Sequence, residues 1–244
     1  MKRLPAVVSA LLGLSLLAVS LPSQAEEAAS PLSFNIGATT DYRYRGISQS
    51  RLKPALQGGA DYALPNGFYI GTWGSTIKWI KDGGGDANVE VDLYGGYKTE
   101  LVSGVTLDVG LLKYLYPSNA LPVSANTLEF YGALTMGVFT AKYSRSTSNL
   151  FGFSDSKGSE YFDLSAAIDL GDGFSLTPHV GYQKVRHNEP YTYTDFALTL
   201  AKDLGDGLSI SGALLGTDAK KVYLGPNGKD LGKASAVLAI KKSF

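Results

Sequence analysis

The sequence predicts an all-β fold, a transmembrane antiparallel up-and-down β-barrel of about twelve strands. Three observations lead there. Apolar and polar residues alternate with period two, a short glycine turn recurs five times along the chain, and past the first 25 residues there is no run of the roughly 18 apolar residues that a spanning helix needs.

The alternation is clearest from Leu32 to Arg45. Leu32, Phe34, Ile36, Ala38, Tyr42 and Tyr44 fall on one face, and Ser33, Asn35, Thr39, Asp41, Arg43 and Arg45 on the other. A helix would scatter those charges around its axis, whereas a strand sorts them onto opposite faces. The pattern returns at Val89 to Leu101, where Glu90, Asp92, Lys98 and Glu100 oppose Val89, Val91, Leu93, Tyr97 and Leu101. It returns again at Phe162 to Leu170, with Asp163, Ser165 and Asp169 on the polar side.

The turns are Leu64-Pro-Asn-Gly67, Leu101-Val-Ser-Gly104, Leu134-Thr-Met-Gly137, Leu170-Gly-Asp-Gly173 and Leu204-Gly-Asp-Gly207, with their last glycines 33 to 37 residues apart. Glycine supplies the positive φ of a tight hairpin, so the repeating unit is one hairpin and one longer connection. The longer connections fall near Ile47–Lys53, Lys78–Asn88, Pro117–Asn126, Ser146–Gly158, Arg186–Pro190 and Thr217–Gly232. Six long loops alternating with five short turns give an even strand number and put both chain ends on one side. In an outer-membrane barrel the short turns are periplasmic and the longer loops external. Val138 to Arg145 fits either register.

Lys2 and Arg3, the apolar run Ala6 to Leu21 and Ser23-Gln24-Ala25 read as an export signal, so residues 1–25 are expected to be a signal peptide and 26–244 the barrel. At the other end Ala234, Ala236, Leu238, Ile240 and Phe244 share a face. A strand ending in an aromatic is similar to the C-terminal signal that outer-membrane barrels present to their assembly machinery, with Lys242 departing from the usual apolar residue. The chain has no cysteine and a formal net charge of zero, which excludes a disulfide framework and argues against a nucleic-acid partner. A soluble sandwich or lipocalin-type barrel is the competing reading of period-two hairpins. The density of charge on the polar face, the alternation of loop lengths and the terminal Phe244 oppose it. Phe130, Phe162, Tyr182 and Phe196, with Tyr42 and Tyr44, are expected to form an outer aromatic girdle, and Phe68, Phe174 and Phe244 an inner one.

Asp41-Tyr-Arg-Tyr-Arg-Gly-Ile-Ser-Gln-Ser50, Pro54-Ala-Leu-Gln-Gly-Gly-Ala-Asp-Tyr62, Gly67-Phe-Tyr-Ile-Gly-Thr-Trp-Gly-Ser75, Glu90-Val-Asp-Leu-Tyr-Gly-Gly-Tyr97 and Tyr114-Leu-Tyr-Pro117 carry a family resemblance. The chain resembles the proteobacterial TorF family, assigned as porins by class and first described as a protein family of unknown function. The resemblance covers essentially the whole mature chain. It implies an outer-membrane barrel and a channel, and no particular solute.

If the apolar face meets lipid, the polar face lines the lumen. The residues expected there are Asp41, Arg43, Arg45, Asp61, Glu90, Asp92, Lys98, Glu100, Asp108, Glu129, Asp163, Asp169, His179 and Asp195. Acids outnumber bases, so a weak cation preference is expected in a narrow aqueous path. The bland alternative is that these charges pair across strands and hold the barrel's shape. Arg43 and Arg45 are placed to bind an anionic group of a solute or lipopolysaccharide, or to pair with Glu90, Glu129 or another lumen acid. Tyr69, Trp73, Tyr94, Tyr114, Tyr116 and Tyr131 share the lumen register and either fill the interior or line a track for a solute, with Gly59, Gly71 and Gly96 leaving room for the rings.

No enzyme is read from this sequence. The two histidines, His179 and His187, lack a Gly-x-Ser-x-Gly elbow or any other catalytic motif. Asp82-Gly-Gly-Gly-Asp-Ala-Asn88 lacks the ligand spacing of a calcium loop, and no cofactor is required. The expectation is an outer-membrane channel for passive diffusion of small polar solutes or ions. The expected partners are outer-membrane lipid and lipopolysaccharide, those solutes or ions, and, through Phe244, the assembly machinery. The alternatives are a non-conducting structural or adhesive barrel acting through its external loops and, more remotely, a barrel enzyme.

Overall fold

The computed structural model describes residues 30–219, 221–226 and 228–244; the expected signal peptide, residues 1–25, lies outside them. Twelve antiparallel wall strands run β1 (Leu32–Thr39), β2 (Ala55–Ala63), β3 (Phe68–Thr76), β4 (Val89–Val102), β5 (Val105–Leu115), β6 (Thr127–Met136) and β7 (Phe139–Ser146). They continue through β8 (Glu160–Ala166, resumed at Ile168–Gly171), β9 (Phe174–Lys184), β10 (Tyr193–Asp203), β11 (Leu208–Thr217) and β12 (Ser235–Ser243). Each strand pairs with the next, and β1 pairs with β12 from Asn35 opposite Ser243 to Thr39 opposite Ala239, so the sheet closes on itself. No helix among the described residues is long and apolar enough to cross a membrane.

The interruption of β8 at Ala167 has a local cause. Ser165 faces His179 and Ile168 faces Leu176, which sets Pro178 opposite Ala166. Proline has no N–H to give to the ladder, and the pairing lapses beside it. All five predicted turns are present, and Gly67, Gly104, Gly137, Gly173 and Gly207 all have positive φ.

Burial follows the alternation inside out. Ile36, Leu56, Ile70, Leu214 and Leu238 are exposed, Ile36 to 59%, while Glu90 on the opposite face of its strand is 2% exposed. The exterior is therefore an apolar belt and the interior polar, the arrangement that suits a lipid solvent. In β7 the ambiguity resolves with Phe139 exposed and Ser144 buried. Phe130, Phe162, Tyr182 and Phe196 are exposed toward the long-loop ends of their strands, and Phe68, Phe174 and Phe244 toward the short-turn side. Lys242 sends its amine to the carbonyl of Asp206 in the last short turn, so the charge leaves the apolar face along its own aliphatic stem.

Interior rings are seated on glycines of the neighbouring strand. Tyr69 lies opposite Gly96, Tyr94 opposite Gly71 and Tyr131 opposite Gly110. A Cβ on Gly71 would come within 2.3 Å of the Tyr94 ring, and one on Gly110 within 2.4 Å of the Tyr131 hydroxyl. Gly110→Val is therefore expected to lower the unfolding free energy of the refolded barrel by about 1–3 kcal/mol. Gly132→Ala, whose added carbon meets nothing nearer than 3.7 Å, should leave it unchanged. Urea unfolding in detergent micelles, followed by tryptophan emission, measures both, and equal midpoints would refute this role for the glycine.

Candidate functional site

After β1 the chain does not continue along the wall. It turns inward, and Arg43–Tyr44 pairs with Ile47–Ser48 as a small hairpin, Arg43 opposite Ser48 and Tyr44 opposite Ile47. Arg45 and Gly46 make its tip with φ of 45° and 78°, the two positive values of a type I′ turn. This corrects the expectation that Leu32 to Arg45 form one strand and that Tyr42 and Tyr44 stand in the outer girdle. Tyr42 is completely buried and Tyr44 half-buried. A strand inside the barrel alternates as a wall strand does, so period two cannot separate them.

Asp41 organises the root of the hairpin. Its carboxylate accepts from the hydroxyls of Ser48 (2.5 Å) and Ser50 (3.0 Å) and from Arg43 Nε (2.5 Å). Arg43 then ties the hairpin to the last loop and β12, donating through Nη1 to the carbonyls of Gly46 (2.9 Å) and Leu231 (2.8 Å) and through Nη2 to Ser235 Oγ (2.9 Å). On the other side, Tyr42 donates to Glu90 on β4 (2.6 Å) and sets its ring edge-on to Trp73 at 5.5 Å.

Arg45 reaches the far wall. Its two terminal nitrogens grip both oxygens of Glu129 on β6 at 2.7 and 3.1 Å, and Nη1 also donates to Gln183 Oε1 on β9 at 2.6 Å. The guanidinium lies 4.1 Å above the ring of Tyr161 on β8. The Tyr44 and Tyr114 hydroxyls are 2.8 Å apart, and Tyr114 also donates to Glu129 at 3.2 Å. Gly46 is packed so tightly that an added Cβ would be 2.5 Å from Thr217 Cγ2 and 2.9 Å from Asp195 Cβ. The hairpin thus spans the interior on its long-loop side, held from both walls.

Of the residues expected in the lumen, Asp41, Arg43, Arg45, Glu90 and Glu129 meet in this assembly. Asp195 borders it, accepting from the Tyr161 hydroxyl at 3.0 Å, with His179 Nε2 3.6 Å from Asp195 and 3.1 Å from Asp163. Asp61 accepts from Tyr94 and Asp108 from Tyr69, each at 2.5 Å, and Lys98 is half-buried on β4. Asp92 is fully buried opposite Trp73 and Tyr114, and its carboxylate has no hydrogen-bond partner among the described residues. Glu100 and Asp169 are exposed at the short-turn ends, where their carboxylates accept from the N–H of Gly104 and Gly171, each at 2.8 Å. They are spent on turns, not on the interior. Sequence reasoning missed Tyr42 and Ser48 as inward donors of the hairpin segment, and Tyr161 and Gln183 as its partners on the wall. The signal that could have found the hairpin is Gly46, which ends an alternating run as the glycines of the five wall turns do.

A closed antiparallel barrel with an apolar exterior and a charged interior, crossed by its own first loop, defines a porin-like fold. The chain belongs to the Gcw_chp family, described as bacterial proteins of unknown function, whose model matches residues 24–244. Among solved structures it is similar to the KdgM porin (TM-score 0.57, 7% identity, covering 87% of this chain and 99% of that one). It is also similar to the NanC porin (TM-score 0.56, 14% identity, 87% and 98%). At these identities the likeness is one of fold. The curated proteins give no match.

Removing one partner of a buried, hydrogen-bonded ion pair costs about 3–5 kcal/mol because the other charge is left uncompensated. Glu129→Ala is therefore expected to release the hairpin while the wall stays intact. Amide hydrogen exchange at residues 41–50 should accelerate more than in β5 and β6, and unchanged protection there would show that the Arg45–Glu129 pair does not hold the hairpin.

Proposed function

We propose that the chain is a small bacterial outer-membrane channel for passive movement of small polar solutes or ions, weakly preferring cations. The observation that carries this reading is the inversion of the barrel, greasy outside and charged inside. A structure that only had to sit in lipid has no need of a charged interior. The TorF resemblance points the same way. The wall carboxylates Asp61, Glu90, Asp92, Asp108, Glu129, Asp163 and Asp195 outnumber the wall cations Lys98, Lys142 and Lys241, and fixed negative charge along a narrow path concentrates cations. One solved neighbour, the KdgM porin, was captured with oligogalacturonate. That cargo is a polyanion, and the carboxylate excess here disfavours it.

A second reading is favoured by the hairpin itself. Its seat across the interior fits a barrel that does not conduct and presents its long loops outside. Ion conductance of the refolded mature protein in a planar bilayer under a KCl gradient separates the two. Discrete steps with a reversal potential of cationic sign are expected, and Arg45→Ala, which frees the far end of the hairpin, should raise the unit conductance. An inserted barrel that is silent both as wild type and as Arg45→Ala would overturn the channel and leave the second reading.

A further inference from the structure

Above the hairpin, on the long-loop side, lies a cavity of about 270 Å³. Its floor is the hairpin itself, through Tyr44, Ile47, Ser48 and Gln49, with Gln183 beside them. Its walls are aromatic and come from separate loops. On one side Trp79 packs edge-on against Tyr116 at 5.1 Å, and Phe151 against Tyr44 at 5.3 Å. On the other, Phe153 tilts against Tyr191 at 4.6 Å, and Tyr223 stands edge-on to Tyr193 at 5.4 Å. Edge-to-face packing within each cluster holds the rings at fixed angles.

The polar groups are as telling as the rings. Among the described residues Asp82 is the one formally charged residue on the cavity surface, and the Arg51 guanidinium already neutralises it, Nε donating at 2.9 Å. The indole Nε1 of Trp79 is buried and donates to no acceptor among the described residues. The volume is near the lower end of small-molecule pockets, roughly 300 Å³, which is room for one or two rings and not for a long chain.

The geometry points to a binding site for an uncharged, ring-bearing solute, held between the two aromatic clusters. Among the described residues neither a free carboxylate nor a free cation is offered to it, so a charged ligand would enter uncompensated there. This site deepens the channel reading, since it sits at the mouth above the hairpin and would select what reaches it, but binding can be tested apart from conduction.

The test is calorimetric titration of the refolded mature protein with phenyl β-glucoside, which carries both a sugar ring and an aryl ring. Maltose and benzyl alcohol present the two ring types separately, and phenyl β-glucuronide is the charged counterpart. Saturable binding of the glucoside is expected, with the glucuronide about tenfold weaker. Phe153→Ala and Trp79→Ala, each of which removes a ring from the cavity wall, should each weaken glucoside binding about tenfold. Heat-modifiable gel migration checks that each variant has folded. In the Trp73→Phe variant Trp79 is the sole tryptophan, and its emission should titrate with the same midpoint. Absence of saturable binding by the glucoside and by both separate probes overturns the site, as does binding that neither cavity variant weakens or a glucuronide that binds equally well. Binding by a barrel that is silent in the bilayer keeps the site and removes the channel, whereas conduction without binding does the reverse.

Discussion

Everything in this structure depends on β1 meeting β12. In hydrocarbon a backbone N–H or C=O left unpaired costs several kcal/mol, so a sheet that crosses lipid cannot have an edge. The register from Asn35–Ser243 to Thr39–Ala239 removes it, and Phe34 and Phe244 extend the seam with reciprocal backbone bonds of 3.3 and 2.9 Å. Closure demands an even strand number for two termini on one side. It also separates the two faces of every strand absolutely, one to the outer solvent and one to an enclosed space, which is why the alternation is so regular.

The enclosed space then has its own problem, because polar side chains turned inward must find partners. The barrel solves it at two levels. On the short-turn side, tyrosines seated on opposing glycines reach the carboxylates of Asp61 and Asp108. On the long-loop side the inner hairpin supplies a counter-charge, Arg45 to Glu129, and a neutral donor, the Tyr42 hydroxyl to Glu90. Buried ion pairs seldom add net stability over an apolar core, but they fix one arrangement against others. Here the arrangement fixed is the position of a loop, and that loop is also the floor of the aromatic cavity.

The wall was legible in the sequence because period two and glycine turns are local signals, readable strand by strand; even the alternation of short and long connections needs no tertiary knowledge. The resting place of the first loop was not legible. Tyr42 and Tyr44 keep the parity of Leu32 and Phe34, and nothing in their spacing tells lipid from lumen once the chain has left the wall at Thr39. Pairing of Arg45 with Glu129 was among the readings the residues allowed, since a buried guanidinium needs a carboxylate. The convergence of Trp79, Phe151, Phe153 and Tyr223 was beyond reach, for they come from three different loops and share no pattern. Glu100 and Asp169 show the opposite error. Their parity is inward, but one step from a turn a carboxylate finds a glycine N–H sooner than it finds the interior.

The connectivity of the hairpin bears on the order in which the molecule is assembled. Arg43 bonds to Leu231 and Ser235, 188 and 192 residues further on, while Arg45 needs Glu129 and Gln183. The first loop is therefore among the last segments to complete its contacts, because those of Arg43 do not exist until the last loop and the final strand have arrived. Until then the Arg43 guanidinium lacks its partners on the last loop and the final strand. The latch that spans the finished interior is thus cut at the beginning of the chain and locked from its end.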